Sequence, residues 1–204
     1  MLNRQMKRVA DVLARRHHVN QLVGNILRMG GHKADSLNPH LVQLRKKLCK
    51  ALGGRCLAFN LCRNTLGSVL GYAAFVEGGV APALLNADTD RELLSALYQA
   101  YRPAFFWAPD DFAWEGCEPV YERFGYRLLK TPFEEKTALY PELALLLTTS
   151  GSTGSPKFVR QSYQNIRANT DSIVAYLDLT AEEKAITTLP MNYTYGLSIL
   201  NTHL

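Results

Sequence analysis

Apolar positions follow two different rhythms along this chain. Near the amino terminus Leu2, Met6, Val9 and Leu13 recur at helical spacing, with basic residues around the rest of the turn. Met29-Gly30-Gly31 breaks that pattern, and residues 30–37 read as a linker. A second helix follows, with Asn38 as its cap, Pro39 in its first turn, the stripe Leu41, Leu44, Leu48 and Leu52, and Gly53-Gly54 as its stop. From Arg55 the rhythm changes to short, continuous apolar runs separated by amphipathic stretches. Cys56 to Leu61, Val80 to Leu85 and Phe105 to Trp107 are predicted as buried strands. Between them lie a helix from Asn64 to about Glu77 and one opened by the capping-box form Thr89-Asp90-Arg91-Glu92 and stopped by Pro103. Buried strands alternating with helices predict an α/β fold with three layers, its largely parallel sheets flanked by helices and joined by right-handed crossovers.

The second half is less regular. Residues 108–142 give few signals, with Tyr126 to Lys130 the candidate for an edge strand. Leu143 to Thr148 is a buried strand that runs straight into a polar loop. Phe158 to Arg160 reads as extended, 163–177 as helical, Ala185 to Leu189 as a strand, and a further helix starts near Tyr195. Three regions follow: a basic helical leader and linker at 1–37, an α/β region at 38–142, and a loop-bearing region of the same domain at 143–204. The last of these carries no helix stop signal before Leu204.

Composition narrows the class only modestly. With 47% apolar and 20% charged residues the chain has the makeup of a soluble globular protein, with no apolar run long enough to cross a bilayer and no secretion signal. The four cysteines show no metal-ligand spacing, so free thiols in a reducing compartment, the cytoplasm, are expected. The net charge of +5 is uneven: residues 1–50 carry 11 Lys or Arg against Asp11 and Asp35. A leader of that kind either contacts nucleic acid or is a solvated helix face. No reader motif or aromatic interleaving accompanies it, which favours the solvated face.

The most informative stretch is Thr149-Ser150-Gly151-Ser152-Thr153-Gly154-Ser155-Pro156-Lys157. Gly151 and Gly154 tolerate positive φ and turn successive backbone N–H groups toward one point. Ser150, Ser152 and Thr153 add hydroxyls and Lys157 adds a positive charge, a donor set suited to polyphosphate oxygens. No Gly-Lys-Ser/Thr occurs and no helix begins at the lysine, so the loop is not a Walker A motif. Pro156 instead feeds a strand. The competing reading, a polar hairpin without function, does not account for the fixed order, the buried strand before it and the Pro-Lys end.

This stretch resembles the signature loop of the adenylate-forming superfamily: acyl-CoA synthetases, luciferases and peptide-synthetase adenylation domains. Gln161-Ser162-Tyr163-Gln164-Asn165 resembles the family's Ser-His-x-Asn element with tyrosine in the histidine place, and Leu189 to Gly196 resembles its next motif. Tyr195-Gly196-Leu197-Ser198-Ile199 superficially resembles the later Tyr-Gly-x-Thr-Glu motif, but Ile199 stands where that motif has glutamate. The resemblance covers about 55–204. It implies an ATP-dependent, magnesium-requiring ligase that joins a carboxylic acid to AMP and then passes the acyl group to a thiol, either coenzyme A or a carrier-protein phosphopantetheine. It further implies that Thr149, Ser150, Gly151, Ser152, Thr153, Gly154 and Lys157 bind ATP, with Thr149 a magnesium ligand and Lys157 the catalytic cation. Tyr193 and Gly196 would line the acyl pocket. The family's remaining motifs would follow Leu204, so the chain is expected to be the amino-terminal portion of such an enzyme and inactive alone. The alternative is a non-catalytic nucleotide-binding or interaction module, with nucleic acid as a candidate partner of the leader.

Overall fold

A computed structural model describes residues 38–133, 138–148, 157–180, 183 and 188–202. The leader, the predicted Leu2–Leu13 stripe and most of the 185–189 strand lie outside them. Helix α1 (Asn38–Leu52) buries Leu44, Leu48 and Leu52, four residues apart on one face. Each such leucine contributes about 1.5–3 kcal/mol by leaving water. Gly53 and Gly54, both at positive φ, then turn the chain into β1 (Leu57–Cys62), whose six residues are all buried. An unbroken buried run requires cover on both faces, and β1 lies at the centre of the sheet.

The helix after it, α2 (Leu66–Gly78), is apolar almost all round, with residues 67 to 75 buried. It packs against both the sheet and α1, so no face is left for polar residues. Strand β2 (Ala81–Asn86) pairs parallel to β1. Next, α3 (Arg91–Tyr101) buries Leu94, Leu97 and Tyr98 on the opposite face of the sheet. Its cap is Asp90 rather than the predicted Thr89. The Asp90 carboxylate accepts from Glu92 N and Leu93 N, while Thr89 donates its hydroxyl to Asn86 O. An ionised oxygen at the positive helix end outcompetes a hydroxyl one residue earlier.

Strand β3 (Phe105–Pro109) returns to the other side of β1, again parallel. A hairpin of β4 (Glu118–Arg123) and β5 (Tyr126–Lys130) extends that side antiparallel. Tyr126–Lys130 is therefore not the edge. It is sandwiched between β3 and β4, and the edge is β4, whose residues are exposed or half-buried and leave no apolar alternation to read. On the far side β6 (Leu143–Thr148) pairs parallel to β2, and β7 (Phe158–Ser162) antiparallel to β6. The order β4-β5-β3-β1-β2-β6-β7 thus has a parallel centre and antiparallel flanks. Helices α4 (Tyr163–Leu177) and α5 (Thr194–Thr202) complete the α2 side. The predicted three-layer α/β architecture is the one observed.

The four cysteines are free. Burial pushes the Cys62 thiol up to about 12, and burial raises Cys49 and Cys117 as well. These thiols stay protonated near neutral pH and supply no nucleophile. Among the described residues, no helix is long and apolar enough to cross a membrane and no acidic, histidine and cysteine cluster has the makings of a metal site.

Candidate nucleotide and acyl site

Strands β1, β2, β3 and β6 run parallel, so their carboxyl ends share one edge of the sheet. Open α/β sheets bind ligands at that edge, where crossovers diverge to opposite faces. Here α2 and α3, which follow β1 and β2, lie on opposite faces, so the divergence falls between those two strands.

The Thr149–Lys157 stretch leaves from this edge. Thr148 pairs with Phe158, and the nine residues between them close the β6–β7 hairpin. Six of the seven positions assigned to ATP by resemblance, Thr149 to Gly154, lie outside the described residues. Both feet of the loop are visible. At the opposite, amino-terminal edge of the sheet, Arg55 fixes the start of β6 by donating to Tyr140 O (2.7 Å), Leu143 O (2.6 Å) and Gly79 O. At the exit, the Phe158 N–H donates to the Tyr101 hydroxyl at 3.2 Å. The Phe158 ring packs edge-on against Tyr101 (4.7 Å between centroids) and Phe59 (5.9 Å). Lys157, one residue earlier, is exposed. An exposed ammonium on an anchored backbone suits a mobile anionic ligand better than a structural ion pair. The sequence carried no signal for Tyr101, which acts across 57 residues.

The Ser162–Asn165 element has a structural basis. Ser162 caps α4 by accepting from Asn165 N (3.0 Å), and the Asn165 side chain accepts from Ser162 N (3.0 Å). This reciprocal box fixes where β7 becomes helix. Its residues fix the segment that follows the loop.

The second motif forms a tight turn before α5. Tyr193 N donates to Pro190 O (3.1 Å) and Leu197 N to Tyr193 O (2.9 Å). Gly196 lies so close to the turn that a Cβ there would stand 2.3 Å from Pro190 O. Met191 is buried beneath it and accepts a hydrogen bond from Ser68 on α2. Tyr193 is 53% exposed, so it is a surface aromatic and not a core one. Asn64, directly after β1, bonds to both Leu189 and Met191. The turn therefore meets the sheet at the same edge as the loop, with β1 and β6 separated by two strand spacings, about 10 Å.

No family model matches the chain. It is 24% identical over 213 residues to the human mitochondrial malonate–CoA ligase ACSF3, an alignment covering 93% of this chain and 36% of the relative. That coverage extends well upstream of Arg55, beyond the 55–204 span of the motif resemblance. The chain thus spans about a third of the length of this curated relative. Among solved structures, CmiS6 superposes with a TM-score of 0.64 at 21% identity, over 84% of this chain and 43% of its own. The o-succinylbenzoate CoA synthetase MenE of Bacillus subtilis, in complex with ATP and magnesium, gives 0.61 at 21% identity, over 83% and 47%. Sequence similarity and a common fold point the same way as the Thr149–Lys157 loop: the chain is similar in sequence to a malonate–CoA ligase and shares its fold with CmiS6 and MenE.

Proposed function

We propose that the chain supplies the phosphate loop and part of the acyl-pocket wall of an AMP-forming acid–thiol ligase. The observation that carries this reading is the convergence, at one edge of the parallel sheet, of the hairpin foot bearing exposed Lys157 and the turn bearing Tyr193. The donor set of the loop fits ATP: two glycines that open the backbone, three hydroxyls and one lysine. ATP supplies an electrophilic α-phosphorus and a pyrophosphate leaving group, and magnesium offsets the phosphate charge.

In this reading the backbone and hydroxyls of Ser150, Gly151, Ser152, Thr153 and Gly154 hold the β- and γ-phosphates. Thr149 contributes an oxygen to magnesium. Lys157 places its ammonium where negative charge grows as pyrophosphate departs, the kind of stabilisation that lowers a barrier most when the donor is already in place. Tyr193 offers an aromatic wall to the acyl chain, and Gly196 keeps the adjoining helix close to it. A coenzyme A thiol is the favoured acceptor, since the relative is named as a malonate–CoA ligase. The free, partly buried cysteines fit a reducing compartment, the cytoplasm in this reading.

Product analysis tests this directly. The full-length protein with magnesium, ATP and a carboxylate such as malonate, without thiol, is expected to form acyl-adenylate and pyrophosphate, detectable by mass spectrometry. Formation of ADP and phosphate, or binding of ATP with no carboxylate-dependent product across a panel of acids, would contradict it. The latter result would instead support a nucleotide-binding module without turnover.

A further inference from the structure

The turn that carries Tyr193 is held by a residue more than 120 positions away in sequence. Asn64 donates its Nδ2 hydrogen to Leu189 O at 2.9 Å and accepts from Met191 N at 3.2 Å through Oδ1. One carboxamide thus pairs with the residues on both sides of Pro190, as a neighbouring strand would. Pro190 lacks an N–H of its own, and its carbonyl is engaged by Tyr193 N. Gly196 closes the other side of the same carbonyl, and Ser68 holds Met191 from beneath. Among these anchors only Asn64 comes from the carboxyl end of β1, the central strand of the sheet. It therefore links the turn to the frame that also carries the phosphate loop.

We propose that Asn64 is a positioning residue for carboxylate binding, one that sets where Tyr193 and Gly196 stand relative to the loop by clamping the 189–191 backbone to the end of β1. The inference deepens the ligase reading and rests on it. Its chemistry is specific. A carboxamide of this length donates through one atom and accepts through another, which a serine or threonine hydroxyl cannot do. Aspartate has the same shape and still accepts from Met191 N, but it sets a second oxygen against Leu189 O and loses the donor. Alanine removes both bonds. Asn64 is exposed, so neither change opens a cavity in the core.

Two readouts separate the clamp from the reading beneath it. In the 204-residue chain, Asn64→Ala is expected to lower hydrogen-exchange protection of the Met191 amide by about tenfold, while amides in β1 keep theirs. In the full-length protein, Asn64→Ala and Asn64→Asp are expected to raise the KM for carboxylate in pyrophosphate exchange by about five- to tenfold. The KM for ATP should stay within about twofold, since loss of one positioning contact affects the ligand it positions. Arg63→Ala, at the adjacent exposed residue whose partners are Asp88 and Asp111, should change neither. A merely structural role would move both KM values together, and that outcome overturns the proposal. So does an unchanged Met191 amide in Asn64→Ala, whatever the enzyme does. A confirmed clamp with no exchange by the wild type overturns the acyl role together with the ligase reading.

Discussion

Replacing Lys157 with alanine in the full-length protein is expected to slow carboxylate-dependent adenylation by about one to three orders of magnitude, the range for removing one preorganised donor from developing charge. The loss should fall mainly on kcat, because pyrophosphate carries more localised charge as it leaves than it does within bound ATP. The folded state should scarcely notice. Lys157 is exposed, and the hairpin foot beside it is held by the Phe158 N–H on Tyr101 and by ring packing that the substitution leaves alone. An unchanged melting temperature with a strongly reduced rate is therefore the expected pair of results. A rate within twofold of wild type would remove Lys157 from the site. Gly154→Val is expected to do at least as much harm, since a branched side chain in the cradle blocks the approach of backbone N–H groups to phosphate.

The second large effect concerns stability and lies far from the loop. At Gly71 a Cβ would stand 2.0 Å from Trp107 Nε1 and 2.3 Å from Cδ1. Trp107 is fully buried, and its indole N–H donates to Gly67 O at 2.9 Å. It cannot step aside, because Phe75 and Tyr126 pack against the same ring. Alanine at position 71 gains about 1 kcal/mol of helix propensity. Against that, overpacking costs about 1–3 kcal/mol, and stranding the buried indole donor costs about 1–3 kcal/mol more. The loss wins, and Gly71→Ala should destabilise by roughly 1–5 kcal/mol out of a total of about 5–15. Gly78→Ala is the comparison. Its Cβ would meet only the Cys49 Sγ, a side-chain atom that rotates away on a half-buried residue. Its effect should stay below about 1 kcal/mol in either direction. Urea unfolding followed by tryptophan emission distinguishes the two, and equal effects would show that α2 does not depend on its close approach to the sheet.

Legibility in the sequence followed the range of the interactions involved. The β1–α2–β2–α3–β3 succession could be read because burial on both faces leaves continuous apolar runs, and α3 leaves a clear stripe at Leu94, Leu97 and Tyr98. Helix α4 was bounded correctly at 163–177 because its Ser162–Asn165 box is local. The cap of α3 was misplaced by one residue because Thr89 and Asp90 both have the right chemistry, and only the geometry of the turn decides between them. Strand β4 escaped notice because an exposed edge strand need not alternate. Tyr126–Lys130 looked like an edge for the related reason that its pairing with β4 leaves no mark in its own composition.

The site divides along the same line. The donor chemistry of Thr149 to Lys157 is contained in nine consecutive residues and could be read directly. What anchors it is distant. Tyr101 holds the exit of the loop across 57 residues, and Asn64 the acyl turn across more than 120. Neither contact leaves a signal in the local sequence. Asn64 in particular read as a helix opener, yet α2 begins only at Leu66 and the Asn64 side chain turns to residues 189 and 191.

Exchange of labelled pyrophosphate into ATP tests the central claim most directly, because it reports reversible attack of a carboxylate on the α-phosphate and nothing later. The full-length protein is expected to catalyse exchange only when a suitable carboxylate and magnesium are present, to lose most of it in Lys157→Ala, and to require no thiol. Exchange that ignores the carboxylate, or that survives Lys157→Ala unchanged, would contradict the role assigned to the Thr149–Lys157 loop.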